Sequence, residues 1–102
     1  MTPETLAQLE RIAAAGIHLV PLAQLEHFFV FERDGCFALV ENCEGRFGAI
    51  GSPGLMTEHG FAPLIQRPDG PAFVCKGHAV EASPEQAAQI HAFFTQLKHA
   101  LS

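Results

Sequence analysis

The stretch HFFVFERDGCFALVENCEGRFGAI, residues 27–50, decides the fold. Phe28 to Arg33 is dense in aromatic and β-branched residues, Asp34-Gly35 follows, and Cys36 to Glu41 returns with the same character. An Asp-Gly pair between two such runs is the strongest short-range hairpin signal, because both central residues of the tight turn need positive φ. A two-residue loop sets the register: Arg33 faces Cys36, Phe31 faces Ala38 and Phe29 faces Val40. Asn42 to Gly45 reads as a four-residue turn, and Arg46 to Ile50 as a third strand beside the second. Phe47 and Ala49 then join Phe29, Phe31, Ala38 and Val40 on a nearly continuous apolar face, suited to receiving helices. The opposite face carries Phe28, Val30, Phe37, Leu39 and Ile50, together with Glu32 and an expected cross-strand pair of Glu41 with Arg46.

Upstream of the meander, Thr2-Pro3-Glu4 places a cap, a helix-starting proline and a first-turn carboxylate in order. Leu6, Leu9, Ile12 and Ala13 follow at helical spacing. The helix is expected to run to about residue 15 and to end on Gly16 in a left-handed cap, with a short strand over residues 17–20. Residues 22–26 fit either a helical turn or a strand entry.

Downstream, 51–60 reads as a loop, with Leu55-Met56 unusually apolar for one. Phe61 to Gln66 and Ala72 to Lys76 flank Arg67-Pro68-Asp69-Gly70-Pro71, a second hairpin turn. Pro63 and Pro71 cannot donate to a ladder and push this hairpin, or at least one of its strands, toward the sheet edge. His78 to Ala82 continues as a last strand. Ser83-Pro84-Glu85 repeats the helix-start pattern, and Ala87, Ile90, Phe93, Phe94, Leu97 and Leu101 form one broad apolar stripe. The two helix starts look alike, but the strands between them show no matching repeat, so shared capping grammar explains the likeness. The expected fold is therefore α+β and a single domain over residues 1–102. An N-terminal helix, an antiparallel meander of five or six strands and a C-terminal helix follow in order, with both helices on one sheet face.

Charge and composition narrow the function. The net charge of -5 arises from eleven carboxylates against six singly scattered cations, leaving no basic patch for nucleic acid or an anionic membrane surface. No apolar run approaches the roughly 20 residues of a spanning helix, and Met1-Thr2-Pro3-Glu4 does not open a secretory signal. Three irregularly spaced cysteines give no disulfide framework, which makes the cytoplasm the expected compartment. All nine aromatic residues are Phe, the type that builds core, whereas recognition surfaces favour Tyr and Trp.

Chemical motifs are sparse. Cys75-Lys76-Gly77-His78 has the Cys-x2-His spacing of a zinc half-site. Cys36 and Cys43 lie at opposite ends of one strand, on the order of 20 Å apart, so they share neither a zinc ion nor a disulfide. A smaller site using Cys75, His78 and one or two of the other histidines competes with a buried structural cysteine, the simpler reading. Casting Cys75, His78 and a carboxylate such as Glu58 or Glu81 as nucleophile, base and orienter finds no local device to lower the thiol pKa. Gly48, Gly51 and Gly54 lead into more loop rather than the helix a phosphate cradle needs, so turn formation is the simpler reading. His91 falls at the edge of the helical stripe and His99 near the helix end, where a cation suits the dipole.

The sequence thus points away from catalysis and names no cofactor. It favours a binding or assembly module that homodimerises, or docks a protein partner, through the apolar second face of Phe28, Val30, Phe37, Leu39 and Ile50. The rival expectation is a small-molecule or metal site at Cys75, His78, Glu58 and His59, beside the 51–60 loop.

Overall fold

A computed structural model describes residues 2–20 and 27–102; the ambiguous segment 22–26 lies outside the described residues. Thr2 caps α1 (Pro3–Ala14) by accepting from the Thr5 amide, and Gly16, with φ +76, turns the chain into β1 (His18–Val20). The remaining strands are β2 (Phe28–Arg33), β3 (Cys36–Cys43), β4 (Arg46–Ile50), β5 (Gly54–Thr57), β6 (Gly60–Arg67), β7 (Gly70–Cys75) and β8 (His78–Glu81). Ser83 and Gln86 close a reciprocal capping box at the start of α2 (Pro84–Leu101). The α+β order is as expected, with eight described strands in place of five or six.

Every strand pair is antiparallel, in the order β1-β2-β3-β5-β6-β7-β8, with β4 also paired to β3. The β2–β3 register is the one Asp34-Gly35 dictates: Arg33 faces Cys36, Phe31 faces Ala38 and Phe29 faces Val40. Asp34-Gly35, Glu44-Gly45 and Lys76-Gly77 all place two successive residues at positive φ, so three hairpins use the same X-Gly device.

The second turn is therefore Glu44-Gly45, shorter than the four residues expected, and Arg46 faces Cys43 rather than Glu41. A bulge follows, because Asn42 pairs with Phe47 whereas Val40 pairs with Ile50. That extra residue exposes Ala49 and turns Ile50 inward against the core, reversing both assignments made from an unbroken alternation.

Half of residues 51–60 are strand, namely Gly54–Thr57 of β5 and Gly60 at the start of β6. Only 51–53 interrupt the path from β4 to β5, and the Gly51 amide still donates to the Leu39 carbonyl at 2.8 Å. The apolar Leu55 is explained by its packing against the core. Pro63 sits where β6 exchanges partners: residues 60–63 pair with β5 and residues 64–67 with β7. Pro71 faces the end of β8, with its carbonyl accepting from Ala82. Both prolines occupy places where a ladder donor is dispensable, so neither defines a sheet edge.

Among the described residues one cluster holds most of the buried apolar side chains. Ile12 of α1 and Ile90, Phe93, Leu97 and Ala100 of α2 pack on Phe31, Cys36, Ala38, Val40, Ala62 and Phe73, so both helices cover the same sheet face. Phe31, Phe93, Ile90 and Leu97 are fully buried, each worth about 1.5–3 kcal/mol relative to exposure. Arg33 is tolerated on this face because its guanidinium lies over the Phe93 ring and donates to the Ala15 carbonyl.

α1 departs from the apolar stripe read from its sequence. It buries Thr5, Gln8 and Ile12 and leaves Leu6 53% exposed. The Gln8 side-chain amide donates to the Leu101 carbonyl at 2.8 Å, and Arg11 donates to the carbonyls of Ala100 and Ser102 at 2.9 Å each. The last carbonyls of α2 lack intrahelical partners, and α1 supplies the donors. That need, rather than leucine burial, sets the roll of α1.

Candidate functional site

The sheet face away from the helices follows from the register. Val20, Val30 and Leu39 form one cross-strand row, and Glu32, Phe37, Gly54 and Pro63 form the next. Met56 faces Phe61, and Ile65 faces Ala72, on the same side. Phe28 remains 41% exposed, Met56 38% and Ile65 40%, while Phe37, Leu39, Phe61 and Val74 are half-buried.

Of the five residues assigned to this face from the sequence, Phe28, Phe37 and Leu39 stand on it with surface to offer. Val30 lies on it but is already 1% exposed within the single chain, flanked by Val20 and Leu39. Ile50 is turned to the core by the bulge. Met56, Phe61 and Ile65 join that face as well: a loop reading gives Met56 no face, and the second hairpin, read as a strand pair, has no register to the meander that would place Phe61 and Ile65. The signal was Leu55-Met56 itself: an apolar pair in a strand sends one residue to each side.

Gly54 is what lets β5 and β6 approach closely at the centre of this face. It is buried at the crossing of β3, β5 and β6, opposite Phe37 on one side and Pro63 on the other. A Cβ there meets the Ala62 carbonyl oxygen and lies 2.6 Å from Pro63 Cα, closer than any relaxed packing permits.

The second candidate gathers two turns at one end of the sheet. Thr57 Oγ1 donates to the Gly60 carbonyl and accepts from the His59 amide, fixing the β5–β6 turn. Lys76-Gly77 forms the β7–β8 turn, which makes Cys75 and His78 a facing pair. The His59 and His78 rings stack with centroids 3.9 Å apart and planes 4° from parallel. Cys75 Sγ donates to the His59 carbonyl at 3.4 Å, and Glu58 Oε1 lies 3.5 Å from His59 Nε2. All four residues named from the sequence are thus brought together.

The arrangement is a clasp between turns in its present rotamers. Imidazole lone pairs lie in the ring plane, so a cation 2.0–2.1 Å from a nitrogen of one stacked ring sits out of the plane of the other. Among the described residues no three His, Cys, Asp or Glu side chains are poised to hold a metal ion. Cys36 and Cys43 are free thiols at the two ends of β3, the first buried and the second exposed. Burial pushes the Cys36 thiol pKa up, partly opposed by the Arg33 charge.

Among the described residues no helix is long and apolar enough to cross a membrane. Compared with known proteins, the chain matches no family model, no curated protein and no solved structure.

Proposed function

We propose that this protein is a non-enzymatic binding and assembly module whose outer sheet face joins a second copy of the chain. The supporting observation is that face: Phe28, Met56 and Ile65 each keep about two fifths of their surface in water, bordered by half-buried Phe37, Leu39, Phe61 and Val74. Single exposed apolar residues need no explanation, but several on one face of one sheet suit an interaction surface. A two-fold pairing buries the same patch on both copies and needs no other partner. Glu32 and Glu41 on this face then lie at its polar rim. Each copy carries a formal charge of -5, so added salt, by screening the repulsion, tightens the pairing. Native mass spectrometry of untagged protein is the test. Twice the 11.0 kDa chain mass supports the proposal, and a bare monomer at micromolar concentration defeats it.

A second reading draws on the convergence of His59, His78, Cys75 and Glu58. In it His78 swings out of the stack and a borderline metal ion binds His59, His78 and Cys75, a donor set that suits zinc. Cobalt(II) titration tests it: a thiolate charge-transfer band that disappears in Cys75→Ala supports the site, and a spectrum unchanged from free cobalt removes it.

A further inference from the structure

On the helix side of the sheet, away from both sites above, a cavity of about 320 Å³ opens between the first half of α2, strands β6 and β7 and the 51–53 link. Its walls are apolar, with Leu64, Ile90 and Phe94 prominent among them. Its polar residues are Ser52, Gln66 and His91, all able to donate a hydrogen bond, and no carboxylate lines it. Lys98 Nζ stands 5.2 Å from the centre of the Phe94 ring, which adds a cation beside the cavity.

We infer that this cavity binds a small apolar carboxylic acid, with the hydrocarbon against Leu64, Ile90 and Phe94 and the carboxylate held at the mouth by His91, Gln66 and Lys98. Size and charge both lead there. A cavity of about 150 Å³ accommodates benzene, so one roughly twice as large takes a fused bicyclic ring or an acyl chain of similar bulk. The volume also falls in the lower part of the usual range of ligand sites, about 300–1,000 Å³. Donors without acceptors of negative charge select an anionic head over a cationic one.

The probe is 2-naphthoate, compared with the isosteric neutral 2-naphthamide, titrated into ¹⁵N-labelled full-length chain and followed by amide chemical shifts. The acid is expected to give saturable shifts at Leu64, Ala87, Ile90 and Phe94 and to bind about tenfold more tightly than the amide. Ala87→Trp fills the cavity and is expected to abolish both titrations. The double variant His91→Ala/Lys98→Gln, which alters only exposed side chains, is expected to retain amide binding and lose the advantage of the acid. Failure to saturate at millimolar acid, shifts confined to Phe28, Phe37 and Met56, or equal affinity for acid and amide each overturns the assignment. The outcome is independent of the dimer, whose face lies on the other side of the sheet.

Discussion

Replacing Gly54 with Ala tests the strand crossing on which the outer face depends. The new Cβ would stand 2.6 Å from Pro63 Cα, where carbon atoms pack at about 3.5–4.0 Å, so β5 and β6 must separate locally by about 1 Å. Both contacts are backbone, and no side chain can rotate away to relieve them. Overpacking of this kind costs about 1–3 kcal/mol, and weakening one or two ladder hydrogen bonds adds about 1 kcal/mol each. The expected loss is about 3 kcal/mol, which lowers the Tm of a chain this size by about 14 °C. Gly35→Ala is the comparison: its Cβ meets open space, and only the φ of +83 is penalised, at about 1–2 kcal/mol. Urea unfolding at fixed protein concentration, followed by far-UV circular dichroism because the chain lacks Trp and Tyr, measures both. A Gly54→Ala variant less destabilised than Gly35→Ala would refute the steric argument.

Three further outcomes are expected. Arg11→Ala removes two donors from the terminal carbonyls of α2 and should cost about 1–2 kcal/mol, with hydrogen exchange accelerated first at residues 98–102; unchanged exchange there contradicts the capping role. Because the folded state holds the Cys36 thiol pKa above its ordinary value of 9.0, the unfolded chain releases that proton first, so this group favours folding below pH 9 and loses its contribution as pH rises further. Denaturation under reductant from pH 8 to 10 should show a downward slope that flattens in Cys36→Ala, and equal slopes would oppose the assignment. With a thiol-reactive reagent, exposed Cys43 should label fastest, half-buried Cys75 next and Cys36 only on unfolding; early labelling of Cys36 contradicts its burial.

Where the sequence carries a local chemical rule, the fold was legible. Asp34-Gly35 dictated a register that holds across all of β2 and its partners Cys36 to Glu41 in β3, and the Thr-Pro-Glu and Ser-Pro-Glu starts placed both helices. The misplaced elements are those decided by tertiary partners. The bulge that turns Ile50 inward places one extra residue in β4 between Phe47 and Ile50, and strict alternation does not reveal it. The roll of α1 is set by carbonyls ninety residues away on α2, so the apolar spacing of Leu6 and Leu9 misleads. Pro63 signals an edge in isolation, yet it occupies the point where one strand changes neighbours. For the sites, His59, Glu58, Cys75 and His78 were identifiable as residue types near one loop. Their meeting depends on two hairpins ending at the same height.

The central claim, that the outer sheet face joins two copies, is most directly tested by sedimentation equilibrium of the wild type beside Phe28→Asp and Met56→Asp, with Leu6→Asp on α1 as control. Phe28, Met56 and Leu6 are all exposed apolar residues, but only the first two lie on that face. The account predicts a dimer for the wild type and for Leu6→Asp, and folded monomers of 11.0 kDa for the two face variants. A wild-type monomer, or face variants that keep the wild-type mass, would contradict it.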